Sequence, residues 1–242
     1  MEIHFVEPTS LSDRTLYIEG GEARHIVKAL RHGPGDELVF TDGTGRFIDA
    51  RIDRCDASSV HAEVTGTRTD PREEGAPWST IGLALLKGDH FEIAIEKMVE
   101  LGVHRIVPLT ADHCIVKLKD RAAAKKLERW QRIADSAMKQ SGRSWRCEVL
   151  TPATVQKAVE LYGADAEVVV ADEAETAELD PGTQPGRAHL GLVGPEGAFS
   201  EREKEWLEQN GARRLSLGPF RLRAETAAIT LAATLNRGRN HG

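Results

Sequence analysis

Two apolar segments near the end of the chain each run into a loop containing a glycine–proline pair, and then into a helical pattern. The first reads Leu192-Val193-Gly194-Pro195-Glu196-Gly197-Ala198-Phe199-Ser200. The second reads Leu215-Ser216-Leu217-Gly218-Pro219-Phe220-Arg221-Leu222-Arg223-Ala224-Glu225-Thr226. Proline cannot continue a strand ladder and glycine frees the backbone, so each pair ends its strand abruptly. The helices that follow begin at good capping residues, and Ser200 with Glu203 spells a capping box. Such loops leave bare N–H and C=O groups at the carboxyl ends of strands, where open α/β sheets bind ligands. One loop of this kind alone is more often a tight turn in an α/β core; two in succession favour a binding site.

The pattern leading up to these loops fits an α/β sheet. Residues 80–86 form a continuous apolar strand, as expected when both faces of a parallel sheet are covered. Residues 90–101 form an amphipathic helix with Phe91, Ala94, Ile95, Met98 and Val99 on one face and Gly102 as its C-cap. A strand follows at 103–109, then a helix whose buried stripe is Leu127, Trp130, Ala134, Ala137 and Met138. Strands at 167–171, 188–193 and 213–217 and a last helix at 225–236 complete the alternation.

The first part of the chain has another rhythm. Short alternating or β-branched segments at 3–7, 15–19, 37–41, 46–53 and 60–65 surround one brief helix at 22–30 with Ile26, Val27 and Leu30 as its stripe. Gly33-Pro34-Gly35-Asp36 and Asp42-Gly43-Thr44-Gly45 are turn signals between them. Closely spaced strands of this kind predict a small barrel. Residues 66–79 are polar with two prolines and two glycines and mark the boundary, so the expected division is a barrel at 1–70, a linker at 71–79 and an α/β domain at 80–242.

At 242 residues, 40% hydrophobic and 29% charged, the chain suits two modest soluble domains or one large one. No apolar run approaches the roughly 18 residues of a membrane span. Met1-Glu2-Ile3-His4-Phe5 lacks the basic and then apolar regions of a signal peptide. Cys55, Cys114 and Cys147 lie far apart without CxxC spacing, which argues against a zinc site and a disulfide framework. His25 and His32 have no ligand partners at metal spacing, and Gly43-Thr44-Gly45 lies between strands and is no dinucleotide fingerprint. A reduced, cytoplasmic protein without membrane or metal is the expectation.

The net charge of −6 is unpromising for RNA, but the charges are segregated. Every charged residue from 160 to 180 is acidic, whereas Arg24, Lys28 and Arg31 recur without an intervening acid. Residues 117–132 are strongly basic, and Lys139, Arg143 and Arg146 extend the run. A local basic face is what phosphate binding needs. The plainer reading of 117–132, the solvated side of a helix, is equally consistent with charge alone.

Four ordered motifs give the chain a family resemblance. They are Arg24-His25-Ile26-Val27-Lys28-Ala29-Leu30-Arg31 followed by Gly33-Pro34-Gly35-Asp36, then Glu100-Leu101-Gly102-Val103, then Gln140-Ser141-Gly142-Arg143, and the two terminal loops. Together they resemble the SPOUT-class methyltransferases, and within that class the family that methylates N3 of a uridine in 16S ribosomal RNA. The resemblance implies a SPOUT-type knotted, mainly parallel sheet with helices on both faces, preceded by a small PUA-like β-barrel that binds RNA. The knot comes from the resemblance alone. It also implies S-adenosyl-L-methionine as cofactor, the small ribosomal subunit as partner, and a homodimer with the cofactor site at its interface.

By the same resemblance three loops meet at the cofactor. The first follows Ala171 and Asp172, the second carries Val193, Gly194, Pro195, Glu196 and Gly197, and the third carries Leu217, Gly218, Pro219 and Leu222. Arg24, Lys28, Arg31, Lys87, Lys139, Arg143 and Arg221 are the residues expected to hold RNA phosphates. The chain departs from the family pattern at three places. Ala198 stands where a second glycine is usual, so its backbone either keeps a negative φ or is strained. Phe220 and Arg221 stand where an arginine and then an aliphatic residue are usual, and Ala224 replaces a threonine.

Uracil N3 carries a proton, and as it leaves negative charge spreads over O2 and O4. A fixed cation beside those oxygens stabilises the transition state, and Arg223 is the first choice for it. A salt bridge to Glu196 or Glu225 is the competing role for Arg223. Glu225 is the second candidate catalytic residue, as proton acceptor, but it sits where an acid best caps the last helix, and the cap is the plainer role. Glu196 equally fits a loop carboxylate that accepts backbone N–H groups. N3 lies on the pairing edge, so the uridine must be unpaired or flipped. A non-catalytic RNA-binding or ribosome-assembly protein, and an enzyme acting on another RNA nucleoside, are the alternatives left open by Phe220 and Arg221.

Overall fold

A computed structural model describes residues 3–12, 14–75, 77–116, 120–172 and 187–236. Lys117 and Lys119 of the basic run, and Glu173, Glu175, Glu178 and Asp180 of the acidic one, lie outside the described residues. The chain forms two compact units, Met1–Gly75 with Met138–Arg146, and Ala76–Ala137 with Cys147–Gly242.

The first unit is built on β1 (Ile3–Phe5), β2 (Leu11–Ser12), β3 (Thr15–Glu19), β4 (Glu37–Thr41), β5 (Arg46–Cys55) and β6 (Ser59–Thr69). Between β3 and β4 a short helix α1 (Gly20–Arg24) passes into a π-helical turn, His25–Ala29. The strands run in the order β1-β4-β5-β6-β3-β2, with β1 parallel to β4 and the other pairs antiparallel. Strict alternation sets the inward face of β3: Leu16 and Ile18 are buried and oppose Ala62 and Val60. Register shifts at Asp49/Ala50 and Ile52/Arg54 bend β5. One cluster draws Val6, Ile18, Ile26, Phe40, Ile48, Ile52 and Val60 together, so the sheet curls around a single core.

The polar boundary segment is more structured than its composition suggests. Residues 67–69 pair with β5, and the Asp70 carboxylate is buried against Arg72 and the Ser144 hydroxyl. Met138–Arg146 belongs to this unit, whereas the sequence pattern placed it in the second domain. Its partners explain the difference. The Thr41 hydroxyl donates to the Ser144 carbonyl at 2.7 Å, Arg146 N–H donates to the Gly43 carbonyl, and Trp145 bridges Thr44. Gly45 (φ +91°) faces the Trp145 ring, where a Cβ would come within 2.6 Å. Such long-range pairs leave no trace in local periodicity.

The second unit alternates strand and helix: β7 (Ser79–Ala84), α2 (His90–Glu100), β8 (Arg105–Leu109), α3 (Asp120–Ser141, whose residues from Met138 on belong to the first unit), β9 (Glu148–Val149), α4 (Val155–Tyr162), β10 (Ala166–Ala171), β11 (Ala188–Val193), α5 (Glu201–Gln209), β12 (Arg213–Leu215) and α6 (Ala224–Leu235). The sheet order is β12-β10-β11-β7-β8-β9, with every pair parallel. Helices cover both faces. Leu190 and Leu192 of β11 pack with Val155 and Ala158 of α4 and Leu207 of α5. The intervening Gly191 faces α6, where a Cβ would lie 2.9 Å from Leu231 and 3.0 Å from Leu235, so this glycine sets how closely α6 approaches the sheet. The Phe91 and Trp130 rings meet at a tilt of 44° with centroids 4.5 Å apart and join α2 to α3. The sequence pattern did not anticipate β9 or α4.

Helix starts differ from expectation at one place. The Ser200–Glu203 capping box forms in full. The N-cap of α6 is Arg223, whose side chain makes no capping bond, and the acid Glu225 in the first turn is left to offset the helix dipole. Among the described residues no helix is long and apolar enough to cross a membrane, and no group of three His, Cys, Asp or Glu side chains is placed to hold a metal ion.

Candidate active site

Strands β10, β11 and β12 are neighbours, so their exits at Asp172, Gly194 and Ser216 open side by side. The Asp172 N–H donates to the Leu215 carbonyl at 3.0 Å and ties the first exit to the third. The loops enclose a cavity of about 960 Å³, within the range of small-molecule sites. It is lined by Ala171 and Asp172, by Val193, Gly194, Pro195 and Glu196, and by Leu217, Gly218, Pro219 and Leu222. Arg221, Arg223 and Glu225 line it as well. Gly197 is the expected cofactor residue that does not line it.

The second loop is held by backbone constraints. A Cβ at Gly194 would lie 3.0 Å from the Phe199 nitrogen and 3.2 Å from the Ala198 carbonyl carbon, so any larger residue would have to push the turn back by a few tenths of an ångström. The Ala198 N–H closes the turn onto the Pro195 carbonyl at 2.8 Å. Ala198 itself has φ +57°, so of the two outcomes open to it the strained one holds; a left-handed alanine costs roughly 1–2 kcal/mol. Gly197 turns away from the cavity, and its Cβ would meet His113 at 3.3 Å. The His113 ring lies 2.9 Å from the Gly197 carbonyl and 3.2 Å from that of Ala198.

Behind this turn a small network fixes the start of α5. Glu203 is buried and accepts from the Asp112 N–H at 3.0 Å and the Ser200 N–H at 2.9 Å. The Ser200 hydroxyl and Arg202 both donate to the Asp112 carboxylate, and together they hold that carboxyl below its ordinary pKa despite partial desolvation. The loop is thus preorganised by the segment after β8.

The third loop leaves β12 through Gly218, whose φ of +140° favours glycine. Arg221, expected on the RNA, donates from Nη2 to the Glu196 carbonyl at 3.1 Å and bridges the two glycine–proline loops. Phe220 is 81% exposed at the cavity mouth. Arg223 is exposed, and among the described residues no acid pairs with its guanidinium, so the competing salt bridge to Glu196 or Glu225 is not formed. The Glu225 carboxylate instead meets His90 Nδ1 at 3.0 Å. His90, a lining residue, carries no sequence signal: its partner lies on a distant helix and nothing around it repeats.

The other expected phosphate contacts separate into two groups. Arg24, Lys28, Arg31 and Lys87 are exposed. Lys139 is bound to Glu22 at 2.8 Å, and Arg143 is buried against Glu73 at 2.8 Å with 6% and 8% side-chain exposure. Both pairs lie within the first unit; Arg143 is enclosed by its pair, while Lys139 keeps 30% side-chain exposure. The pairing carboxylates lie far away in sequence, which is why charge counting missed them.

Comparison with known proteins places this geometry. An RNA methyltransferase domain model matches residues 73–236, and an RNA methyltransferase PUA domain model matches residues 18–65. The chain is 31% identical over 241 residues to the ribosomal RNA small subunit methyltransferase E of Bacillus subtilis, covering 95% of this chain and 93% of that protein. It is 31% identical over 216 residues to the protein of that name from Mycobacterium tuberculosis, covering 87% and 82%. A crystal structure of ribosomal RNA small subunit methyltransferase E from Neisseria gonorrhoeae, bound to S-adenosyl methionine, superposes with a TM-score of 0.86 at 28% identity over 98% of this chain and 97% of that one. The three strand exits thus frame the cavity of a known fold, and the chain belongs to the RNA methyltransferase family that carries an RNA methyltransferase PUA domain.

Proposed function

We propose that this protein transfers a methyl group from S-adenosylmethionine to N3 of a uridine in 16S ribosomal RNA of the small subunit. The observation that carries the reading is the cavity at three adjacent strand exits, with an arginine on its lining, Arg223, that no acid pairs with among the described residues. The donor set fits the cofactor. Backbone groups around Asp172, Gly194 and Gly218 suit its polar ends, and Val193, Leu217 and Leu222 supply apolar walls. Bound there, the cofactor supplies a methyl group made electrophilic by a sulfonium.

The protein's own residues then have separate tasks. Arg223 offsets the charge that develops on O2 and O4 as the N3 proton leaves. Arg221 holds the two loops at a fixed spacing through the Glu196 carbonyl. Arg24, Lys28 and Arg31 of the first unit offer exposed positive charge to RNA phosphates. The names of the relatives support the small-subunit RNA as target, and the motif resemblance supports uridine N3. A homodimer acting in the cytoplasm completes the reading, and activity falling more steeply than enzyme concentration on dilution tests the dimer.

The decisive experiment uses small ribosomal subunits that lack uridine N3 methylation. They are incubated with the protein and S-adenosylmethionine, and the digested RNA is searched for 3-methyluridine by mass spectrometry. The expected result is 3-methyluridine with the wild type and about 10²-fold less with Arg223→Ala, the effect of losing one preorganised donor. Cofactor binding without 3-methyluridine on subunits or naked RNA would favour a non-catalytic RNA-binding protein or an enzyme with another target.

A further inference from the structure

His90 is the first residue of α2, Glu225 lies in the first turn of α6, and both line the cavity. Their side chains are 41% and 16% exposed, with His90 Nδ1 3.0 Å from Glu225 Oε1. In the neutral tautomer that donates Nδ1–H to this carboxylate, Nε2 carries the ring's lone pair. Among the described residues no hydrogen bond reaches Nε2. Gly88, with φ +64°, stands beside the ring, where a Cβ would make ordinary contact with Cδ2 at 3.8 Å.

We infer that His90 accepts the N3 proton in the methyl transfer proposed above, on which this inference rests, and that Glu225 is its positioning residue. The arrangement is that of a base oriented by a carboxylate. The proton passes from N3 to His90 Nε2, the N3 electron pair forms the new bond to the methyl carbon, and the pair of the broken carbon–sulfur bond stays with sulfur. One positive charge enters on the sulfonium and one leaves on the imidazolium, which forms beside the Glu225 carboxylate. The same helix start carries Arg223, so α6 brings the cation for the oxygens and the carboxylate behind the base into one chamber. Glu225, a candidate acceptor or helix cap on sequence alone, acts here through the histidine.

The test is single-turnover methyl transfer to subunits lacking 3-methyluridine, with cofactor affinity and melting temperature measured on the same proteins. His90→Ala is expected to bind cofactor and melt like the wild type, to transfer at least ~10²-fold more slowly, and to regain rate when imidazole is added. His90→Gln, which keeps a hydrogen-bonding side chain but no base, is expected to be as slow as His90→Ala. Glu225→Gln is expected to lose about tenfold through mispositioning of the ring. A His90→Ala rate within about twofold of wild type overturns the inference, and so does recovery in His90→Gln, since either leaves His90 a structural role only. A wild-type protein that forms no 3-methyluridine fails the substrate reading itself, which is a separate outcome.

Discussion

Arg221 crosses from the third loop to the second and donates from Nη2 to the Glu196 carbonyl at 3.1 Å. A charge expected on the RNA therefore sets the spacing of the two loops that line the cavity. Hydrogen bonds to charged groups contribute about 1.5–3 kcal/mol, and solvent exposure reduces this one to about 1 kcal/mol. Arg221→Ala is accordingly expected to weaken S-adenosylmethionine binding about fivefold, read by calorimetry. Unchanged cofactor affinity together with weaker RNA binding would return Arg221 to the phosphate set.

Ala198 holds a left-handed backbone at φ +57°. Glycine adopts this conformation freely but also gains freedom in the unfolded chain, so the two effects partly cancel. Ala198→Gly is expected to raise the unfolding free energy by about 0.5–1 kcal/mol in urea titrations. A loss of stability would mean that the Ala198 methyl group makes contacts worth more than the strain.

The Arg143–Glu73 pair is enclosed, with both side chains less than a tenth exposed. Removing one member of a buried pair strands the other, at a cost of about 3–5 kcal/mol. Arg143→Ala should show a loss of that order in urea unfolding. A phosphate contact would behave in the opposite way, leaving stability intact and lowering RNA affinity.

These cases show which parts of the molecule are local enough to read from sequence. The strands of the first unit follow from alternation, as at Leu16 and Ile18, and the α/β order of the second from apolar runs such as 188–193. The strand-exit loops were legible because glycine, proline and a capping serine state their geometry locally. The ion pairs of Lys139 and Arg143 are not legible in sequence, because a charge is visible there while its distant partner, Glu22 or Glu73, is not. The His90–Glu225 contact and the joining of Met138–Arg146 to the first unit were hidden for the same reason. The two-residue β9 has no period to detect.

Asp70 gives the first unit a defined response to acid. Its carboxylate is 1% exposed; burial alone would push its pKa up. The Arg72 guanidinium and N–H and the Ser144 hydroxyl more than offset that and hold it below the ordinary 3.8. Glu22, desolvated but bonded to His4 and Lys139, is likewise held below 4.5, and Asp42, beside Arg46 and Thr44, below 3.8. A carboxylate depressed in the folded state contributes its full stability above its unfolded pKa and loses it as pH falls through the folded one. Stability is therefore expected to stay level down to about pH 5 and to fall progressively below that. Asp70→Asn keeps the shape and removes the titration, so it is destabilised at neutral pH. The wild type's advantage over it should shrink steadily from about pH 5 towards about pH 2. Urea unfolding of both proteins across that range checks this, and a difference that stays constant with pH would remove Asp70 as a source of the acid sensitivity.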